Sequence, residues 1–137
     1  MPEFLEKNKK LSKLKKFWVN KKVFITGHSG FKGTWLSVIL NMLKSKVYGY
    51  SLKPEKKSLF NQTKIYKNLY SNTFGNINDL ELLKKKISKI KPQVVFHLAA
   101  QPIVLESYRN PIETFKTNIL GTVNLLNCIK DVKSVKS

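Results

Sequence analysis

The stretch that decides the fold is Lys22-Val23-Phe24-Ile25-Thr26-Gly27-His28-Ser29-Gly30-Phe31-Lys32-Gly33. A continuous apolar run, typical of a buried parallel strand, leads into glycines at three-residue spacing, and an amphipathic helical pattern follows from Thr34. Such glycines allow a tight turn and bring the backbone close to a pyrophosphate that faces the N-terminus of the helix. The stretch therefore predicts dinucleotide binding, and an ordinary glycine-rich turn is the alternative.

Strand-like and helical patterns alternate along the rest of the chain. Strands are predicted at 22–26, 46–50, 71–75 and 94–98, and helices at 30–44, 61–69, 79–91 and 112–129. This alternation favours right-handed crossovers and an α/β fold, a Rossmann-type doubly wound parallel sheet in the order 3-2-1-4. The sheet is expected to be incomplete, with a fifth strand beginning near Val135 and the fourth strand left as an unpaired edge.

The length of 137 residues suits one domain. Residues 1–17 are predicted to be a basic leader that is poorly ordered or marginally helical. Residues 18–137 are predicted to be the N-terminal part of an NAD(P)-binding Rossmann domain.

The formal net charge of +18 introduces a second function class, nucleic-acid binding. However, Arg109 is the only arginine, and the lysines are spread from residue 7 to residue 136. Because arginine dominates the recognition of bases and phosphates, this spread indicates a compositional bias, and we do not expect a nucleic-acid partner.

Cysteine content and hydropathy exclude further classes. Cys128 is the only cysteine, which excludes an internal disulfide and a cysteine-rich zinc site, and its apolar helical context favours a buried residue over a nucleophile. No run of about 18 apolar residues is present, so no membrane-spanning helix is predicted. We expect a cytoplasmic protein with no membrane partner and no bound metal.

Four motifs together resemble the extended short-chain dehydrogenases/reductases, the NAD-dependent epimerase/dehydratase family. They are the glycine loop Gly27–Gly33, the element Gly75-Asn76-Ile77-Asn78-Asp79, the element His97-Leu98-Ala99-Ala100-Gln101, and the helix motif Thr117-Asn118-Ile119-Leu120-Gly121-Thr122. Within this family the sequence is most similar to the CDP-glucose 4,6-dehydratases. His28 and Lys32 inside the glycine loop, and Gln101-Pro102 after the two alanines, carry that similarity.

The resemblance implies a hydro-lyase that converts CDP-glucose to CDP-4-keto-6-deoxyglucose, a precursor of surface-glycan deoxysugars. In that reaction bound NAD takes hydride from C4 of the sugar, water is lost from C5 and C6, and hydride returns to C6. The general base of the family is the tyrosine of a Tyr-x-x-x-Lys pair, and no tyrosine of this sequence has a lysine four positions later. We therefore expect the front part of a longer enzyme, inactive alone, with no catalytic residue assigned. The homodimer common in the family is in doubt for this part.

The resemblance also implies which residues bind the cofactor. They are Gly27, Ser29, Gly30, Phe31, Lys32, Gly33, Ser51, Asn76, Ile77, Leu98, Ala99, Ala100 and Thr117. Backbone N–H groups of the loop would bind the pyrophosphate, and Asn76 would accept a hydrogen bond from the adenine amino group. Structural alternatives stay open for several residues: a solvated Lys32, a plain turn at Asn76, a loop-structuring His28, and an Asn118 that braces the neighbouring loop.

The end of the second strand leaves the choice of cofactor open. An acid usually binds the adenosine ribose of NAD at this point, but Ser51-Leu52-Lys53 contains none, and the first acid is Glu55. A lysine there suits the 2′-phosphate of NADP, whereas the resemblance favours NAD.

Two other functions fit the same motifs. Another nucleotide-sugar enzyme, such as a GDP-mannose 4,6-dehydratase, would share all the cofactor motifs. A non-catalytic nucleotide-binding module that pairs with another chain is the other alternative.

Overall fold

The computed structural model describes residues 11–137, and its centre is a four-stranded parallel sheet. The strands are β1 (Lys22–Thr26), β2 (Lys46–Ser51), β3 (Ser71–Phe74) and β4 (Val94–His97). Their order in the sheet is β3-β2-β1-β4, which confirms the predicted α/β class and topology. In the register, Thr26 of β1 lies beside Tyr50 of β2 and His97 of β4, so the carboxyl ends of these strands meet at one edge.

Helices cover both faces of the sheet. They are α1 (residues 11–18), α2 (Phe31–Met42), α3 (Leu59–Thr63), a 3-10 helix (Ile65–Asn68), α4 (Leu80–Ile90), α5 (Val104–Arg109), α6 (Pro111–Phe115), a π-helical segment (Lys116–Leu120) and α7 (Gly121–Ile129). The last three are consecutive, and together they correspond to the predicted helix over 112–129. Helix α5 was expected to be loop. Among the described residues, no helix is long and apolar enough to cross a membrane.

Part of the predicted leader is helical. Residues 1–10 lie outside the described residues, whereas residues 11–17 belong to α1, for which the sequence left poor order and marginal helix as alternatives. The helix is anchored at its end by Trp18, which packs on the apolar cluster beneath it, with its ring 6.2 Å from that of Phe96.

Alternation along β1 builds an apolar core on each face of the sheet. Phe24 packs with Tyr50 and with buried residues of α4 and α7, whereas Val23 and Ile25 pack against Leu40 of α2. Successive strand residues point to opposite faces, which is why a strand buried on both sides reads as one apolar run. Cys128 is buried in the first of these cores, as its apolar context predicted.

The outer edge of β4 is partly covered, contrary to the expectation of an unpaired edge. The backbone N–H of Lys136 donates to the carbonyl of Gln93 at 2.8 Å, and that of Val95 donates to the carbonyl of Ser137 at 2.8 Å. The chain thus begins to add a strand at the position where the fifth strand was expected. These bonds satisfy backbone groups of β4 that would otherwise face solvent.

Candidate functional site

The loop after β1 is held in a conformation that only glycine accommodates. Gly27 has a φ of +72°, and a Cβ there would lie 2.6 Å from the backbone N of Ala99. A Cβ on Gly33 would collide with the carbonyl oxygen of Gly27 and would lie 2.7 Å from Cα of His28. The start of α2 therefore packs directly on the loop, and the loop packs directly on the chain after β4.

The N-terminus of α2 is free to bind an anion. Its first intrahelical bond runs from the N–H of Thr34 to the carbonyl of Gly30 at 2.8 Å, so the N–H groups of Phe31, Lys32 and Gly33 have no partner within the helix. No side chain caps this end, and its first turn holds no acid. These N–H groups and the positive end of the helix dipole lie at the glycine loop, where they would favour a phosphate.

A cavity of about 200 Å³ opens at the carboxyl edge of the sheet, beside this loop. Its lining contains all but three of the predicted cofactor-binding residues: Gly27, Ser29, Gly30, Ser51, Asn76, Ile77, Leu98, Ala99, Ala100 and Thr117. Of the remaining three, Phe31 and Lys32 are exposed on the first turn of α2, and Gly33 is buried beneath the loop. Residues at the carboxyl ends of all four strands thus contribute to the cavity, as expected for a parallel sheet.

Three lining residues were missed by the sequence analysis: Tyr50, Leu52 and Gly75. The hydroxyl of Tyr50 donates to the carbonyl oxygen of Asn76 at 2.8 Å, and a Cβ on Gly75 would lie 2.6 Å from that hydroxyl oxygen. Burial, with smaller contributions from Asp79 and Cys128, raises the pKa of Tyr50 to about 12, so the phenol stays a donor. Gly75, between β3 and the following turn, was the sequence signal that another group approaches the backbone closely here.

The loop after β3 forms a second wall. The side-chain oxygen of Asn76 accepts a hydrogen bond from the N–H of Asn78 at 2.9 Å, which is the turn that the sequence analysis had kept as the alternative for this residue. Its amide NH₂ and its second oxygen lone pair remain for a ligand, since Asn76 is exposed at the cavity. Ile77 is buried, and a Cβ on Gly121 would lie 2.5 Å from its Cγ2.

Two serine hydroxyls meet at the end of β2, where the adenosine ribose was expected. Ser51 donates to Oγ of Ser29 at 2.7 Å, and Ser29 donates to the carbonyl of Leu52 at 3.1 Å. Each hydroxyl has one proton, and both protons are used within this chain of bonds. The remaining lone pairs can accept hydrogen bonds from ribose hydroxyls, without the charge of a carboxylate.

His28 structures the loop and does not line the cavity. Its side chain is fully buried, and Nε2 lies 2.7 Å from Oδ1 of Asn72 on β3. The ring packs edge-on against Phe60 with centroids 5.1 Å apart. Burial lowers the pKa of His28, opposed by the Asn72 hydrogen bond and by the backbone of Tyr50. Of the two roles that the sequence left open, the structure supports the loop-structuring one.

A polar network holds the third wall, where β4 ends. Oγ1 of Thr26 accepts from the N–H groups of Leu98 and Ala99 at 3.2 and 3.3 Å and lies 2.7 Å from Nδ1 of His97. The other ring nitrogen of His97 lies 2.9 Å from the hydroxyl of Thr122. Burial lowers the pKa of His97, which favours the neutral ring in this network. The network fixes the small residues that follow β4.

Asn118, in the π-helical segment, holds the backbone at Gln101, directly after the two alanines. Its Oδ1 accepts from the N–H of Gln101 at 2.8 Å, and its Nδ2 donates to the carbonyl of Gln101 at 3.1 Å. This two-point contact is the structural alternative stated for Asn118. It positions Thr117, its neighbour in sequence, at the cavity.

A family model described as GDP-mannose 4,6 dehydratase matches residues 24–137. That range includes the glycine loop, all four strand ends and the π-helical segment. The chain belongs to the GDP-mannose 4,6-dehydratase family. The matched range contains all four sequence motifs.

The chain is also similar to individual proteins of known sequence or structure. A CDP-glucose 4,6-dehydratase of Salmonella typhimurium is 47% identical over 124 residues, which are 90% of this chain and 34% of the relative. The solved UDP-glucose 4-epimerase of Thermotoga maritima, with UDP-glucose, aligns with a TM-score of 0.71 at 30% identity over 83% of this chain and 35% of its own. The epimerase of Brucella ovis, solved with NAD, has a TM-score of 0.71 at 22% identity and covers 83% of this chain and 33% of its own.

The chain spans about a third of the length of the Salmonella relative, and a similar share of the two solved structures. The residues of this chain that the family model matches include the glycine loop and most of the parallel sheet.

Proposed function

We propose that these residues form the NAD-binding part of a nucleotide-sugar 4,6-dehydratase that acts on CDP-glucose. One observation carries the cofactor proposal. The uncapped N-terminus of α2, Gly30 and the serine pair at the end of β2 border one cavity at the carboxyl edge of the sheet. A dinucleotide needs these features together: donors for its pyrophosphate, acceptors for its ribose and room beside small residues.

Each wall of the cavity has a distinct role in holding the nucleotide. The free N–H groups at the start of α2 would bind the pyrophosphate, and Ser29 and Ser51 would accept from the adenosine ribose. The exposed amide of Asn76 and the buried Ile77 would border the adenine. Ala99, which is hydrogen-bonded to Thr26, and its neighbour Ala100 would leave space for the middle of the cofactor.

Bound NAD would supply a hydride acceptor toward C4 of the sugar and a hydride donor toward C6, with loss of water between the two transfers. The residues of this chain would bind and orient the cofactor. Because the 137 residues hold no Tyr-x-x-x-Lys pair, we propose that they bind NAD without dehydrating a sugar. Incubation with NAD and CDP-glucose is expected to give no 4-keto product, and its appearance would refute this part of the proposal.

The variant Gly30→Ala tests the cofactor site with a small local adjustment of the loop. Gly30 has a φ of −72° and a ψ of 172°, which alanine adopts readily, and the nearest atom to an added Cβ is the carbonyl oxygen of Gly27 at 3.3 Å. The methyl group would occupy the space at the helix N-terminus that a pyrophosphate needs. We expect the Kd for NADH to rise at least about tenfold in a fluorescence titration, with the thermal midpoint little changed.

The control for this variant is Ser88→Ala, on the exposed surface of α4 away from the cavity. It should bind NADH like the parent chain. Unchanged NADH binding in Gly30→Ala, or no saturable binding by the parent, would overturn the cofactor proposal.

The preference for CDP-glucose over another nucleotide sugar rests on the 47% identity to the Salmonella relative. GDP-mannose is the competing substrate, because the family model that matches is described by that reaction. Any coding sequence that follows codon 137 in frame can be expressed with these residues and assayed with both nucleotide sugars. Faster turnover of GDP-mannose would refute the CDP-glucose proposal.

A further inference from the structure

Two polar side chains that do not line the cavity are hydrogen-bonded to each other next to the glycine loop. Nε2 of His28 lies 2.7 Å from Oδ1 of Asn72, and neither residue lines the cavity. His28 belongs to the loop itself, whereas Asn72 lies in β3, the outermost strand on that side of the described sheet. The pair therefore links the loop after β1 to a strand that is two positions away in the sheet.

We propose that the hydrogen bond between His28 and Asn72 positions the N–H groups that bind the pyrophosphate. The affinity for NAD(H) then depends on Asn72, although this residue lies outside the cavity. This inference rests on the proposed nucleotide-binding function, and it makes His28 and Asn72 positioning residues of that site.

The first argument is that the backbone of His28 supports the start of α2. A Cβ on Gly33 would lie 2.7 Å from Cα of His28, and the hydroxyl of Thr34 donates to the carbonyl of His28 at 3.4 Å. The N–H groups without a partner in the helix belong to Phe31, Lys32 and Gly33, in the same first turn. A displacement of His28 would therefore move the groups that are proposed to bind the pyrophosphate.

The second argument is that a single directional bond fixes the imidazole ring. Phe60 packs edge-on and Phe74 stacks, with ring centroids 5.1 and 6.3 Å from that of His28. Burial against these rings does not by itself select one position of the imidazole, because the hydrophobic effect is non-directional. The bond to Asn72 is directional, and it is the only hydrogen bond that the ring makes among the described residues.

The third argument is the unpaired nitrogen of the same ring. An amide oxygen accepts, so Nε2 of His28 carries the proton of the neutral imidazole and Nδ1 is an acceptor. Nδ1 is buried without a hydrogen-bond partner among the described residues; the carbonyl of Tyr50 is an acceptor too, and it receives the N–H of Gly27 at 2.8 Å. An unpaired buried nitrogen costs stability, and an apolar side chain of similar size would avoid that cost. The bond to Asn72, and not the stability of the core, therefore accounts for a polar ring at this position.

The test compares NADH binding in the parent chain and in Asn72→Ala. Asn72 is exposed, so the substitution removes the bond and leaves the apolar core intact. We expect the Kd for NADH to rise about five- to tenfold in a fluorescence titration, because the loop N–H groups are less well preorganised. Circular dichroism at the temperature of the titration shows that the variant is folded.

Variants of His28 separate positioning from packing. Glutamine can place an N–H near the position of Nε2, whereas leucine fills the space without a donor. His28→Gln should keep the Kd for NADH within about threefold of the parent, and His28→Leu should raise it about tenfold. Adding Asn72→Ala to His28→Leu should raise the Kd by less than about twofold more, since the bond is already lost. If either His28 variant does not fold, Asn72→Ala alone decides the test.

Thr73→Ala is the matched control. Thr73 follows Asn72 in β3, its side chain points to the opposite face of the sheet, and it does not line the cavity. This variant should bind NADH like the parent chain. Equal NADH affinity of Asn72→Ala and the parent would overturn this inference alone, and so would an equal loss of affinity in Thr73→Ala. Absence of NADH binding by the parent chain would overturn the proposed function and this inference together.

Discussion

The imidazole ring of His28 occupies the space that a side chain at Gly49 would fill. A Cβ on Gly49 would lie 2.5 Å from Nε2 of His28 and would collide with two carbons of the ring. His28 belongs to the loop after β1, and Gly49 lies within the neighbouring strand β2. Because Gly49 of β2 has no side chain, the ring of His28 can enter the core and anchor the loop that follows β1.

Gly49→Ala should therefore destabilise the fold. Overpacking a filled core forces side chains from their rotamers or shifts the backbone, and we expect the free energy of unfolding to fall by about 1–3 kcal/mol. Urea unfolding followed by circular dichroism measures the change. In a His28→Ala background the same substitution should cost less than about 1 kcal/mol, because the ring is gone. Equal costs in the two backgrounds would show that the two residues are not coupled.

Stability should decrease as the pH falls below about 6.5, the ordinary pKa of the imidazole. Burial lowers the pKa of both His28 and His97 in the folded chain, so the unfolded chain binds protons that the folded chain does not. The free energy of unfolding should fall by up to about 1.4 kcal/mol per pH unit for each histidine, and their contribution should be constant at higher pH.

Urea midpoints measured from about pH 8 to about pH 5.5 test this dependence. The chain has two histidines, so His97→Gln should reduce the slope by about half. A free energy of unfolding that stays flat or rises on acidification over this range would contradict the assignment of neutral, buried rings.

Thr26→Val should destabilise the chain after β4. The hydroxyl oxygen of Thr26 accepts from the N–H groups of Leu98 and Ala99, and the residue is fully buried. Valine has the same shape without the oxygen. Leu98 keeps its hydrogen bond to the backbone carbonyl of Thr26 at 3.0 Å, whereas the N–H of Ala99 and Nδ1 of His97 lose this partner, at a cost of about 1–3 kcal/mol. Thermal unfolding measures the loss. Thr26→Ser keeps the hydroxyl and should retain most of the stability, so a serine variant as unstable as the valine variant would point to packing instead.

Asn118→Ala should release the loop that begins at Gln101. Both polar atoms of the Asn118 side chain bond to the backbone of Gln101. We expect amide hydrogen exchange at Gln101 to accelerate by about tenfold or more, which corresponds to about 1.4 kcal/mol of lost protection. Asn124→Ala is the control: that side chain bonds to the carbonyl of Ile77 instead, and its loss should leave exchange at Gln101 unchanged.

The sheet and the glycine loop were predictable because their signals are local. A continuous apolar run at Val23-Phe24-Ile25 and glycines spaced by three residues specify a strand, a turn and a helix start within a dozen residues. The asparagine and aspartate after β3 behave as their types predict, since Asn76 forms a turn and Asp79 caps α4 by accepting from the N–H of Leu82 at 3.0 Å.

The missed features depend on contacts distant in sequence. Helix α5 lies between Pro102 and Pro111, which read as loop signals, although the first proline precedes the helix and the second opens α6. Tyr50 lines the cavity, where its hydroxyl donates to the carbonyl of Asn76, and these two residues are 26 positions apart in the sequence. The choice between a ligand contact and a core position for His28 likewise depended on Gly49 and Asn72 being adjacent in space.

The contact between Gly121 and Ile77 has a mechanical consequence. Gly121 starts α7, which continues the helical run that carries Thr117, so one continuous helical run both contacts Ile77 and lines the cavity through Thr117. A tilt of that helical run would move Ile77 and Thr117 in concert. The width of the cavity between these two residues therefore depends on the orientation of a single helical run.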